Sequence, residues 1–212
     1  MIKMKAKQSM TTFLLIRHGS CFPVGRFLAG RASGVHLDEA GKKEVLFLEE
    51  SIRGIHLDEI ISSPLERTVE TAEAVARGRG LEVKIRDEIN EVDCGEWTGK
   101  SFEELSGNAV WIAFNRFRSA VRIPGGEMMI EVSSRMSRFM EEKRREGKNC
   151  VAIVSHGDPI RAVISHCLGL PVDFLTRFEI KTASVSVITL SDYGANLSCL
   201  NHTGMFNLAY AS

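Results

Sequence analysis

Two histidines are distinguished by where they fall in the chain. His18 follows the apolar run Leu14-Leu15-Ile16 and Arg17, and His156 follows Val151-Ala152-Ile153-Val154-Ser155; each is succeeded at once by a glycine. Imidazole can attack an electrophile, move a proton or donate a hydrogen bond. Arg17 and Arg67 add planar guanidinium forks of the kind that match phosphate oxygens. One His-Gly after an apolar run is ordinarily a turn, and an isolated arginine such as Arg67 ordinarily faces water. The repetition of the pattern, together with a third block at Ile60-Ile61-Ser62-Ser63-Pro64-Leu65-Glu66-Arg67-Thr68, points instead to a shared site.

The elements that must position these residues follow from periodicity. Short apolar runs bounded by turn signals read as buried strands of a parallel sheet, and ligands of open α/β sheets bind at the carboxyl ends of the strands. Parallel strands would therefore bring His18 and His156 to one rim, with Gly19 and Gly157 letting backbone or ligand come close. In the third block Ser63 reads as a helix N-cap, Pro64 as the first helical residue and Glu66 as the partner in a capping box. Leu65, Val69, Ala72 and Ala76 then form an apolar stripe. Arg67 lies off that stripe, where its guanidinium can reach past the strand ends.

Arg17-His18-Gly19, the stretch from Ser62 to Ala72, Glu91 within Asn90-Glu91-Val92-Asp93-Cys94-Gly95-Glu96-Trp97, and Ser155-His156-Gly157 resemble the histidine phosphatase superfamily, which includes the cofactor-dependent phosphoglycerate mutases. The four blocks occur in family order and span residues 13–190; Pro124-Gly125-Gly126-Glu127 before a long helix is also similar to the family. The resemblance implies a three-layer α/β/α sandwich with a mostly parallel central sheet and an antiparallel edge strand.

Phosphoryl transfer needs donors on the equatorial oxygens, an in-line nucleophile and a proton for the leaving oxygen. Arg17 and Arg67 can hold the oxygens, one histidine can attack, and the other can donate a hydrogen bond to developing charge. Glu91 is the candidate for protonating the leaving alkoxide and then activating water. Spacing alone does not say which histidine attacks; the resemblance makes His18 the nucleophile and His156 the donor. Gly19 and Gly157 are candidate phosphate contacts. Arg31 is either a substrate contact or a loop-anchoring ion pair. Glu88, Asp93 and Glu96 read as surface carboxylates, and Asp158 as a helix cap. His36, His56, His166 and His202 share no ligand spacing. Because arginines supply the charge, neither a metal nor another cofactor is expected.

Departures from the family pattern bear on the branch. Ser20 stands where an acidic residue commonly follows Arg-His-Gly, Val24 stands near a position that is asparagine in mutases, and no long basic insertion separates Trp97 from Gly125. These argue for a metal-independent phosphomonoester hydrolase, of histidine acid phosphatase type, acting on a small phosphorylated substrate through a phosphohistidine on His18. A phosphoglycerate mutase-type phosphotransferase and a non-catalytic phospho-ligand-binding regulator are the alternatives; the complete set Arg17, His18, Arg67, Glu91 and His156 speaks against the latter.

Composition agrees. The chain has 212 residues, 44% of them hydrophobic and 25% charged, enough for one sizeable core. Basic and acidic residues balance at 27 each, which argues against a nucleic-acid footprint. No apolar stretch approaches the ~20 residues of a membrane span. Five scattered cysteines without a Cys-x-x-Cys pair read as reduced thiols of a cytoplasmic protein; Cys21, three residues after His18, reads as a packing residue. An edge strand could pair in a homodimer, but the sequence does not require one.

Along the chain, residues 1–10 read as a disordered tail and 11–212 as one domain with a small cap at about 98–126. Helices are expected at 39–53, from Pro64, at 102–105, 111–117 and 128–145, and from Asp158 to near Gly169. Strands are expected at 57–61, 81–85 and 150–154, with a terminal hairpin of 184–190 and 197–201. The aromatic residues Trp111, Phe114 and Phe117 with Arg116 and Arg118 fall in the cap over the site, a mix that could suit a nucleotide, a sugar phosphate or a phosphopeptide.

Overall fold

The computed structural model describes residues 10–22 and 26–206. The expected tail, apart from Met10, and Val24 lie outside the described residues. Strands β1 (Thr11–Arg17), β2 (Glu59–Ser62), β3 (Val83–Ile85), β4 (Cys150–Ser155), β5 (Val185–Ser191) and β6 (Gly194–His202) form one sheet in the order β3-β2-β4-β1-β5-β6. The first four run parallel to one another, and β5 and β6 join antiparallel. The antiparallel edge is thus a pair of strands, arising because a tight turn at Asp192-Tyr193 needs no crossover.

Helices cover both faces. Helix α1 (Glu39–Ser51) and α2 (Glu66–Ala76) pack Leu48, Ile52, Ala72 and Val75 against Leu14, Ile16, Ile60, Ala152 and Val154 on one side. Two short helices, α3 (Phe102–Ser106) and α4 (Ala109–Arg116), follow. On the opposite face α5 (Met129–Arg145) and α6 (Gly157–Cys167) pack Met136, Phe139, Ile160 and Val163 against Phe13, Leu15, Ile61, Val151 and Ile153. Odd and even residues of β1 therefore serve two different cores, as the period of two demands.

Two helix starts correct the sequence reading. Helix α2 begins at Glu66 with Leu65 as an extended N-cap and no side-chain cap bond, so Ser63 caps nothing. Helix α6 begins at Gly157 with His156 in the cap position, so Asp158 is not the cap. The helix expected at 39–53 ends at Ser51, with Ile52 as its C-cap.

What positions the site is the pairing of β1 with β4. Arg17 lies opposite Ser155 in the parallel register, so the next residues, His18 and His156, leave the sheet side by side. After β1 the chain passes to α1 on one face; after β4 it passes to α6 on the other. Adjacent strands feeding opposite layers open a crevice at their carboxyl ends, the topological switch point where α/β proteins bind ligands.

Candidate active site

The strand ends deliver four polar side chains into one buried cluster. His18 and His156 are 3% and 0% exposed, with ring centroids 5.2 Å apart in an edge-on arrangement. His18 Nδ1 lies 2.7 Å from the Gly19 carbonyl. A carbonyl can only accept, so Nδ1 carries the proton and Nε2 keeps its lone pair. Burial, with Arg67 and Arg17 alongside, pushes the His18 pKa down to about 3; the ring is neutral at physiological pH.

His156 is oriented by Ser63, whose hydroxyl lies 2.7 Å from Nε2. Ser63 also reaches Asn90 Oδ1 at 3.3 Å, and Asn90 Oδ1 in turn accepts from the Glu91 amide at 2.8 Å. The Ser63 hydroxyl is therefore part of the site, where the local pattern had suggested a cap. With Nε2 engaged, His156 Nδ1 has no partner among the described residues; the nearest acid, Glu91 Oε2, is 3.7 Å away, beyond hydrogen-bond reach.

The arginines complete the cluster. Arg17 donates through Nη1 to the Ile180 carbonyl at 2.6 Å, and Arg67, 2% exposed, donates through Nη2 to the Gly30 carbonyl at 2.9 Å. Arg17 Nε and Arg67 Nη1 have no partner among the described residues. Buried donors without acceptors are costly, about 1–3 kcal/mol or more for charged groups. Two of them, on guanidiniums beside one histidine, mark a place for an anion. The first turn of α6 adds N–H groups that have no intrahelical partner, together with the positive end of its dipole.

Glu91 is held by its backbone. Its carbonyl accepts from Arg31 Nε at 2.8 Å and from Arg135 Nη2 at 3.0 Å, and Glu127 bridges the same two guanidiniums. Ser155 reaches the neighbouring Ile89 carbonyl at 2.7 Å, tying this loop to β4. Burial first, then the charge of Asp158, raises the Glu91 carboxyl pKa to about 7.

Phe27, Phe102, Trp111 and Phe114 close a cavity of about 220 Å³ over Arg17, His18, Arg67 and Glu91, with Gly157, Asp158, Arg118 and Arg161 on its wall. A Cβ on Gly157 would stand in ordinary contact, 3.4 Å, with the Arg17 guanidinium carbon, which places the start of α6 directly against that arginine. Two expected contacts are placed otherwise. The Gly19 amide is taken by Thr71 Oγ1 at 3.1 Å, and a Cβ there would meet Val45 at 2.9 Å; Gly19 lets α1 approach the strand end. Arg31 is taken up in the clamp on Glu91 and Glu127 and does not line the cavity, the loop-anchoring alternative.

Several residues escaped the sequence. Asn90, Arg135, Asp158 and Arg161 take part through contacts across the fold, for which no local spacing exists; Arg118, expected in the cap, reaches the site through Asp158 at 3.2 Å. Cys21 lines the cavity, and burial raises its thiol pKa, in keeping with a packing residue. The five cysteines are unpaired. No group of three or more His, Cys, Asp or Glu side chains among the described residues is disposed to hold a metal, and no helix among them is long and apolar enough to cross a membrane.

The profile of the histidine phosphatase superfamily (branch 1) matches residues 13–203, and the chain belongs to that family. It is similar to phosphoserine phosphatase 1 of Hydrogenobacter thermophilus, with 34% identity over 93% of this chain and 96% of that protein. Among solved structures, the α-ribazole phosphatase of Shigella flexneri superposes with a TM-score of 0.83 at 25% identity, covering 93% of this chain and 99% of that one. A phosphoserine phosphatase mutant of Entamoeba histolytica, in complex with phosphoserine, has the same fold, with a TM-score of 0.82 at 24% identity, over 93% of this chain and 100% of that one.

Proposed function

We propose that this protein is a metal-independent phosphomonoester hydrolase that works through a phosphohistidine on His18. The observation that carries the reading is the bond from His18 Nδ1 to the Gly19 carbonyl at 2.7 Å, which leaves Nε2 unprotonated beside unpartnered buried donors on Arg17 and Arg67. In the first step the Nε2 lone pair forms the N–P bond as the P–O bond to the alcohol breaks, and the Glu91 proton goes to the leaving oxygen. Arg17, Arg67, the start of α6 and His156, in the tautomer in which Ser63 donates to Nε2 and Nδ1 carries the proton, hold the phosphoryl oxygens. In the second step Glu91, now ionised, takes a proton from water; the water oxygen forms the new bond to phosphorus, and the N–P bond returns its electrons to Nε2.

A carboxyl pKa near 7 suits both halves, since the group must give a proton and then take one. The charge that other phosphatases draw from metal ions is supplied by guanidinium groups. The reaction is tested by inorganic phosphate release from a panel of phosphomonoesters with EDTA present. Release should continue undiminished in EDTA and vanish in His18→Ala. Release that stops on chelation, or persists without His18, would overturn the mechanism. Phosphate passed to a second phosphoglycerate molecule instead of water would identify the mutase alternative.

A further inference from the structure

The charge on the cavity wall exceeds what one phosphoryl group can balance. Four guanidiniums, of Arg17, Arg67, Arg118 and Arg161, face two carboxylates, of Glu91 and Asp158. A proton donor enters the reaction uncharged, so Glu91 contributes nothing to the balance when the ester binds. The three remaining positive charges meet a phosphomonoester dianion, and one is left without a counterion in a largely enclosed site. Uncompensated buried charge is strongly unfavourable.

The surplus is localised. Among the described residues Asp158 is the sole carboxylate paired with Arg118 and Arg161, giving one oxygen to each: Oδ2 lies 3.2 Å from Arg118 Nη1, and Oδ1 lies 3.1 Å from Arg161 Nη1. Both arginines keep a buried Nε with no partner among the described residues. Arg118, 8% exposed, is fixed further by Asn115 at 2.9 Å and by stacking 4.9 Å over the Phe114 ring. Arg161 lies one turn after Gly157 on the same side of α6, about 6 Å further along the axis. Helical side chains lean back toward the N-terminus, which directs Arg161 toward the phosphoryl position at a spacing that a short hydroxy or amino acid spans.

We propose that Arg118 and Arg161 seat a second anion, so that the substrate is a small phosphomonoester whose leaving group carries a carboxylate. This rests on the phosphatase reading above and deepens it. The two arginines come from opposite sides of the crevice, one after α4 and one from α6, so a bound carboxylate also joins the aromatic wall to the switch-point helix. Asp158 keeps both guanidiniums in place in its absence.

Matched esters test the inference: O-phosphoserine against O-phosphoethanolamine, and 3-phosphoglycerate against glycerol 3-phosphate, each pair differing in the carboxylate. The expected kcat/KM ratio favours the acid by ~10–100-fold in both pairs, the range of a charge-assisted hydrogen-bonded contact. In Arg118→Gln and, separately, Arg161→Gln the ratio should fall toward one. Because it is taken within one preparation, loss of folded protein cancels from it. A ratio near one in the native protein would overturn the inference and leave the phosphatase reading standing. A native preference that survives intact in both variants would also overturn it, reducing the pair to a structural clasp on Asp158. Absence of hydrolysis of every ester, p-nitrophenyl phosphate included, would overturn the phosphatase reading and this inference with it.

Discussion

On the inner wall of the cavity, Arg17 and His18 leave the end of β1, backed by Ser63 and His156 at the ends of β2 and β4, and each side chain is fixed by a bond to a backbone carbonyl or to its neighbour. On the outer wall, Phe102, Trp111, Phe114 and Arg118 ride on α3, α4 and the turn that follows. There packing is chiefly aromatic, with Trp97 and Trp111 in edge contact at 5.2 Å and Trp97 and Phe114 at 5.4 Å. The inner wall places reacting atoms with the precision of a hydrogen-bonded sheet. The outer wall encloses a volume and can vary without moving those atoms. Chemistry and selectivity are therefore assigned to parts of the chain held by different kinds of contact.

That division can be broken by substitution. The largest effect is expected from Glu91→Gln on esters of poorly acidic alcohols, with turnover reduced by about 10²–10⁴-fold as for general acids. The first phosphorylation by p-nitrophenyl phosphate, whose leaving group needs no proton, should be spared, seen as a retained pre-steady-state burst of p-nitrophenol. A burst lost to the same degree would mean that Glu91 positions phosphate. The pH dependence has a definite sign: with a raised pKa of about 7, Glu91 holds its proton below that value, so the alkyl-ester phosphorylation rate should fall as pH rises through 7. His18, with its pKa pushed down to about 3, stays unprotonated across this range.

Arg67→Lys keeps the charge but loses the fork and the reach to the Gly30 carbonyl; phosphate release should fall by ~10–100-fold. Ser63→Ala should lower kcat by about tenfold, the cost of freeing one buried imidazole bond, with little change in KM. Were Ser63 a helix cap, thermal stability would drop while kcat held. Gly19→Ala should do the reverse of Ser63→Ala: overpacking against Val45 and the Gly41 carbonyl should cost roughly 1–3 kcal/mol of stability, read as a shifted denaturation midpoint. On the outer wall, Trp111→Ala should change KM by only a few-fold and leave the burst rate alone. A large loss of burst rate there would erase the contrast between the walls.

The inner wall was legible in the sequence because its residues follow directly on strands. An apolar run that stops at His-Gly announces both the strand and what lies at its end. The clasp residues were not. Ser63 carries the local signature of a cap, yet in the fold the His156 ring competes for its hydroxyl and wins, so α2 starts at Glu66 instead. Asp158, one residue into α6, looks like any first-turn acid; its meaning depends on Arg118, forty residues earlier. Glu59, inside the strand expected at 57–61, is buried with Lys84 and Lys143 as its partners, neither of them near it in sequence. Local periodicity reports which face of an element is buried, and not which distant side chain will meet it there.

The most direct test is to trap the phosphoenzyme by rapid quench and identify the phosphorylated atom by phosphorus NMR and peptide mass spectrometry. The expected product is an acid-labile, base-stable phosphohistidine at Nε2 of His18, because Nδ1 is committed to the Gly19 carbonyl. Phosphate on His18 Nδ1, on His156 or on no residue at all during turnover would contradict it.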